Sequence, residues 1–460
     1  MTGKASASSL DRQQILTALG RHWNPTAALM MAATERQVES HAHGSEVFGE
    51  DGSCSLDFAG SYGVFLVGHQ NDAVREAVLH ELERAPAIPP GATHPAMAEL
   101  FSLLLEILPP GLDRFTLGCS GAEVSEAALR AAYLARPGRH RIVIVAGGYH
   151  GKTLGALTVL GQEEHRRDFL PGGSDLVVVP PGDAASVRRA VSSRDVAAVF
   201  VEPVLGGAYL RVPPADFLPE VSRACAETDT LLVADEIQTG FGRTGRMFAV
   251  EHFGVVPDII LLSKALTGGF VPVAVAAMTH EVASAARRSP QWHPGVLEGT
   301  TPSALSMAAA TATIREVRRL GLPERAERVG AALRDGLRAA VRKHPRHLVD
   351  APGIGMMTGL RTRNPAVENL ISMQMSARGI HLGHSLNEQM DQPVLRFYPP
   401  LTVRSEQIQR VLQALDESLQ WLDRRPAWLM RRITWLLRRQ YQLPPPLVLK
   451  LMHSNLKVNW

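Results

Sequence analysis

Leu231-Leu232-Val233-Ala234-Asp235 and Ile259-Ile260-Leu261-Leu262-Ser263-Lys264 decide the fold. Each is an apolar run without polar alternation, the pattern of a strand buried on both faces. Each run leads into a charged residue, Asp235 in one case and Lys264 in the other. Similar runs stand upstream at Arg141–Val145, Leu176–Val179 and Val196–Val201. Helical spacing covers Asp72–Arg84, Pro95–Ile107 and Gly121–Ala135. Strands alternating with helices predict a mostly parallel sheet inside an α/β layered domain. Further out, residues 1–40 are polar and helix-prone. Val47-Phe48, the turn Glu50-Asp51-Gly52-Ser53 and Ser55–Phe58 predict short strands. The chain turns helical again from about residue 305 and strand-like at Pro352–Leu360 and Leu395–Thr402. That pattern predicts a second, smaller α+β domain.

The 460 residues are 45% apolar and 20% charged, which excludes a disordered, collagen-like or disulfide-stapled chain. No apolar run reaches the ~18 residues of a spanning helix. The opening Met1-Thr2-Gly3-Lys4-Ala5-Ser6 lacks an apolar signal-peptide core. Cys54, Cys119 and Cys225 lie far apart with no metal-ligand spacing. A reduced, cytoplasmic setting and no metal site are therefore expected. Only six of the 48 basic residues are lysines: Lys4, Lys152, Lys264, Lys343, Lys450 and Lys457. A lysine in apolar surroundings stands out against that scarcity.

Lys264 is such a residue, and Gly268-Gly269 just beyond allow a tight turn. Burial disfavours the ammonium and yields a free amine able to form a Schiff base. The plainer reading is a lysine snorkelling to the surface at a strand end. Asp235 shifts the balance, because ligands of open α/β sheets sit at the carboxyl ends of strands. An amine for an aldehyde and a carboxylate for a ring nitrogen are the pair a pyridoxal phosphate site requires.

The surrounding text makes the comparison specific. Leu232-Val233-Ala234-Asp235-Glu236-Ile237-Gln238-Thr239-Gly240-Phe241-Gly242-Arg243-Thr244-Gly245, then Pro257-Asp258-Ile259 and Ser263-Lys264-Ala265-Leu266-Thr267-Gly268-Gly269, resembles the signature of class III pyridoxal-phosphate aminotransferases. The ornithine and putrescine branch is the nearest look-alike, over roughly residues 40–420. The resemblance implies fold type I. That means a large domain with a seven-stranded, mostly parallel sheet and a smaller α+β domain drawn from both ends of the chain. The expected division is 1–75 and 326–423 for the small domain, 76–325 for the cofactor domain and 424–460 for an extension.

The same resemblance implies the site. Lys264 carries the cofactor and Asp235 pairs with its pyridinium. Ile237 packs on one ring face, and Gln238 meets the ring hydroxyl. Ser120, Gly121 and Ala122 open a helix and hold the phosphate, as helix starts do. Tyr149, in the segment Tyr149-His150-Gly151, stacks on the ring, with His150 and Glu202 in the cofactor region. Thr300, or else Thr301, reaches the phosphate of a second subunit, which implies a homodimer with shared sites. Pro302-Ser303-Ala304 stands where the family usually has Gly-Asn-Pro. Arg396, in Leu395-Arg396-Phe397-Tyr398-Pro399-Pro400, binds a carboxylate, and Tyr62 and Phe65 either line the substrate pocket or pack in the core. The ornithine branch carries a second glutamate where this chain has Gly207. The ornithine-style gate over Arg396 is therefore missing. The expected reaction moves an amino group between an amine or amino acid and a keto acid. Other pyridoxal chemistry on the same parts, such as decarboxylation or racemisation, is the alternative.

Two stretches stand apart. Ala146-Gly147-Gly148-Tyr149-His150-Gly151-Lys152-Thr153 satisfies a relaxed P-loop pattern, which offers a remote nucleotide-binding reading. The other is the extension. Residues 424–460 hold eight Lys/Arg and no Asp/Glu, so the net charge of +3 divides into −5 for residues 1–423 and +8 for the tail. Trp421–Tyr441 is expected to run helically past Pro426. Leu429, Met430, Ile433, Leu436 and Leu437 would form one face, and Arg431, Arg432, Arg438 and Arg439 the other, with Trp428 and Trp435 among them. The helix either docks on the acidic body or binds an anionic surface, a carrier protein or a phosphate-bearing substrate. Nucleic acid is not expected, since no recognition module accompanies the charge.

Overall fold

The computed structural model describes residues 11–437 apart from 26–27, 29–30, 32–37, 85–86, 89–92, 170–174, 208–209 and 386–390. In chain order, β1 (Glu39–His43), β2 (Glu46–Gly49) and β3 (Cys54–Phe58) form an antiparallel meander near the start. The central sheet follows, built from β4 (Leu112–Gly118), β5 (Arg141–Val145), β6 (Leu176–Val179), β7 (Val196–Val201), β8 (Leu231–Asp235), β9 (Ile259–Leu262) and β10 (Ala274–Thr279). Its seven strands run in the order β4-β10-β9-β8-β7-β5-β6. β10 pairs antiparallel with both β4 and β9, and the other pairings are parallel.

The unbroken apolar runs are explained by what covers them. Ile144, Phe200, Val233 and Leu261 face one core, shared with the helices Gly121–Ala135 and His280–Arg287. Their neighbours Val145, Val201, Ala234 and Leu262 face the other, shared with Phe217–Thr228 and Ala304–Arg319. Both faces being buried, neither alternate set can be polar. β4 and β10 are strands the sequence pattern did not mark. β10 is antiparallel because the link Ser263–Val273 is too short for a crossover helix.

The later strands are β11 (Leu348–Asp350), β12 (Gly353–Ile354), β13 (Met357–Thr362), β14 (Ile380–Leu382) and β15 (Val394–Phe397). β13 pairs with β11, β12 and β15. β14 instead joins the N-terminal meander, lying parallel to β3 with Ile380 opposite Leu56. The two ends of the chain thus share one sheet.

The terminal helix differs from expectation. Ser405–Asp423 ends, Arg424–Pro426 turns, and a separate helix runs Ala427–Leu437. Pro426 lacks the N–H that a continuous helix needs and disfavours helical geometry at Arg425. The second helix lies against the Pro365–Ser376 helix with Met430 buried and Leu429 and Ile433 half-buried. Arg438, Arg439 and everything after them lie outside the described residues.

Candidate active site

Five strands of the central sheet end at one place. The residues just past β4, β5, β7, β8 and β9 line a cavity of about 380 Å³, within the ~300–1,000 Å³ usual for small-molecule sites. Ser120, Gly121 and Ala122 come from β4. Tyr149, His150, Gly151 and Lys152 come from β5, and Glu202, Gly206 and Gly207 from β7. Asp235 ends β8, Ile237 and Gln238 follow it, and Ser263 and Lys264 follow β9. Ser61 and Tyr62 close the cavity from the N-terminal meander.

Asp235 ends β8 and Lys264 lies two residues past the end of β9, and the parallel pairing of these neighbouring strands brings the two to one edge of the sheet. Lys264 has left-handed backbone, φ 39°, which turns the chain sharply out of β9. Burial pushes its ammonium down to about 8, and the charge of Arg396 adds to that, while Glu202 and Asp235 oppose it. Asp235 is buried. Its Oδ1 accepts the Ile237 N–H at 3.0 Å, and its Oδ2 pairs with His150 Nδ1 at 2.7 Å. Burial alone would lower the His150 imidazolium, but the bond to Asp235 and the charges of Asp235 and Glu202 raise it.

Glu202 pins two loops together. Its Oε1 accepts the Tyr149 N–H at 2.8 Å and its Oε2 the Gly206 N–H at 2.9 Å. Burial raises its carboxyl despite the nearby His150. These bonds remove the nucleotide-loop reading. The Gly147, Gly148 and Tyr149 N–H groups already donate to Gly161 O, Val145 O and Glu202. A phosphate-cradling loop keeps such groups free. The helix after it, Leu154–Leu157, is a single turn.

At the head of Gly121–Ala135, Ser120 is the N-cap, accepting from Glu123 N at 3.3 Å. A Cβ on Gly121 would lie 2.7 Å from Ile237 Cδ1, so glycine permits the helix start to sit against the strand β8 loop. Helix-start N–H groups have no intrahelical acceptor and favour anions. Thr300 stands outside the lining. Its N–H donates to Glu123 Oε2 at 3.2 Å, beside Cys119.

Arg396 also lies outside the lining. It is wholly buried, and its Cζ lies 5.3 Å from the Tyr62 ring centroid. Nη1 donates to His384 O at 3.2 Å, whereas Nε and Nη2 have no protein acceptor. The Tyr62 hydroxyl reaches the same His384 carbonyl at 3.4 Å. Phe65 is not in the lining; it stacks on His69 at 3.8 Å and packs by Gly269. Tyr62 is delivered by a strained turn. Ser61 and Tyr62 have φ of 46° and 56°, held where Asp57 Oδ1 accepts the Ala59 and Gly60 N–H groups at 3.0 and 2.8 Å. Gly60 is required there, since a Cβ would strike Tyr398 O at 2.1 Å. Sequence reasoning missed Ser61, Gly206 and Ser263. The run Gly60-Ser61-Tyr62-Gly63 was the signal for the first, because paired glycines mark an unusual turn.

The sequence family with this arrangement is matched directly: the model described as "Aminotransferase class-III" covers residues 30–419. The chain belongs to the class-III aminotransferases. A putrescine aminotransferase of Pectobacterium atrosepticum is 35% identical to this aminotransferase over 390 residues, 83% of this chain and 82% of the relative. The ornithine aminotransferase of Toxoplasma gondii superposes with a TM-score of 0.78 at 26% identity, covering 84% of this chain and 91% of that one. A second structure of that enzyme, crystallised with oxidised glutathione, has PLP at partial occupancy in its active site and a TM-score of 0.77 at 26% identity over the same shares. The aminotransferase described here has the fold type I architecture and performs pyridoxal-phosphate-dependent transamination. No helix among its described residues is long and apolar enough to cross a membrane.

Proposed function

We propose that this aminotransferase takes an amino group from a primary amine or diamine and gives it to a 2-keto acid whose carboxylate Arg396 binds. The carrying observation is Arg396 itself, a buried guanidinium with two donors lacking a protein acceptor. A carboxylate satisfies such a pair bidentately. Gly207 supports the reading. A Cβ there would come within 2.8 Å of Gly147 O, so no side chain fits at the place of the missing gate. The relative named for putrescine supports an amine as the donor.

The residues present fit the cofactor. Gln238 Oε1 is buried without a partner and lines the cavity, an acceptor available to a ring hydroxyl. Ser120, Gly121 and Ala122 would take the phosphate, and Tyr149 and Ile237 would flank the ring. Asp235, oriented by His150, would hold the proton on the ring nitrogen. Glu202 would keep Tyr149 in place. The cofactor supplies an electron sink for the carbon that exchanges its amino group. Lys264, its ammonium lowered, carries the proton at that carbon as a general base and acid. Tyr62 lines the pocket, and its ring lies 5.3 Å from the Arg396 guanidinium carbon, so it stands at the approach to the binding group.

Thr300, outside the pocket of its own chain, would reach the phosphate of a second copy in a homodimer. The domain division 1–75 with 326–423 against 76–325 is supported by the β3–β14 pairing. A cytoplasmic setting is supported by Cys54, Cys119 and Cys225, which are free thiols.

Two measurements test the reading. The visible absorption band of the purified enzyme should bleach on adding a diamine and return on adding a 2-keto acid. Arg396→Ala should leave the bleaching intact and raise the keto-acid KM by about 10- to 150-fold, the loss of a charged hydrogen bond of ~1.5–3 kcal/mol. An unchanged keto-acid KM would remove Arg396 from substrate binding. Cofactor uptake by the stripped protein gives a further check. Its rate should rise with pH and level off above about 8, where Lys264 loses its proton, and not near the ordinary 10.5.

A further inference from the structure

We propose that the Ala427–Leu437 helix is a docking face for an anionic phospholipid bilayer. One side of the helix is spent on the body: Met430 is buried, Leu429 and Ile433 are half-buried, and Thr434 Oγ1 lies 3.4 Å from Asn364 Oδ1. The other side carries Trp428, Arg431, Arg432 and Trp435. Their spacing of i, i+3, i+4 and i+7 places them in one stripe along the helix. Trp428 and Trp435 are 55% and 51% exposed, and both arginines are exposed.

This stripe is not what docking on the body calls for. A helix held by its inner face needs only polar residues outside. Large aromatic rings left half in water at both ends of an arginine pair suit a boundary between apolar and aqueous phases. The guanidinium groups suit phosphate oxygens. The charge distribution selects the same occupant. Residues 424–460 carry +8 with no acidic residue, and residues 1–423 carry −5. An anionic sheet attracts the Arg424, Arg425, Arg431 and Arg432 charges at this helix and is repelled by the net charge of residues 1–423, which favours approach with this helix toward the lipid.

The mount is rigid. Asp423 accepts from His344 Nδ1 at 2.8 Å and His347 Nε2 at 3.0 Å, and Arg346 Nη2 donates to Arg425 O at 3.2 Å. These bonds hold the bend at Arg424–Pro426 that turns the stripe outward. None of the stripe residues lines the catalytic cavity.

The experiment is co-sedimentation of the full-length holoenzyme with vesicles of phosphatidylcholine alone, or of equal parts phosphatidylcholine and phosphatidylglycerol. Binding is expected to the mixed vesicles only and should weaken as salt rises. Arg431→Ser with Arg432→Ser should weaken it on the order of 30-fold. Trp428→Ser with Trp435→Ser should also weaken it, and the native protein should show a blue-shifted tryptophan emission on the mixed vesicles that this variant lacks. Both variants should keep the visible cofactor band and the solution activity. Absence of binding at low salt, native-like binding by both variants, or retention on immobilised poly-L-glutamate without any binding to vesicles would overturn the proposal.

Discussion

Replacing Lys264 with alanine is expected to lower kcat by about 10⁴-fold or more, the upper range for loss of a positioned acid–base group. The fold should survive the change. Burial depresses the Lys264 ammonium to about 8 in the folded chain. The unfolded chain therefore binds that proton more tightly, and the lysine weakens the fold at neutral pH. That weakening fades as pH rises through about 8 toward 10.5. Alanine removes it, so thermal unfolding of the cofactor-free variant should occur no lower than that of the cofactor-free native protein at pH 7. A small primary amine in the buffer should restore part of the rate, since it replaces the missing proton carrier. Native-like turnover by Lys264→Ala would exclude the lysine from the chemistry.

Asp235→Asn is the second large effect. Asparagine keeps the shape and can still accept the Ile237 N–H, but it carries no charge. The pair with His150 at 2.7 Å is buried. Removing one partner of such a pair costs about 3–5 kcal/mol, or about two to four decades of rate when the charge serves the transition state. The cofactor band should remain, because the phosphate and lysine contacts are intact. His150 should become easier to deprotonate, as burial then acts without the opposing carboxylate. A variant with unchanged kcat would mean that the Asp235 charge does not act on the ring.

The sheet and the Lys264–Asp235 pair were legible because both rest on local text. Val196–Val201 is apolar throughout, and Lys264 is one of few lysines. The unread strands have physical reasons. β10 is Ala-Val-Ala-Ala-Met-Thr, small residues that suit a helix as readily as a strand. β4 is an edge strand with partly exposed residues in the pattern of a surface loop. The cover over Arg396 was not legible either. Tyr62 and the His384 carbonyl are more than 300 positions apart in sequence, and their meeting depends on a left-handed turn and on β14 finding β3. The nucleotide-loop pattern failed because a pattern cannot report that Glu202 has already taken the loop's N–H.

The parallel pairing of β3 with β14 also bears on how the chain matures. Leu56 meets Ile380 only after nearly the whole polypeptide has been made. Contacts of such long sequence separation form late, because loop closure must precede them. The central sheet, whose strands lie between residues 112 and 279, can assemble while the first meander still waits with one edge open. Tyr62 is attached to that meander. The Tyr62 side of the pocket is therefore the last part to form, and a nascent chain holds Lys264 and Asp235 in place before it has that cover.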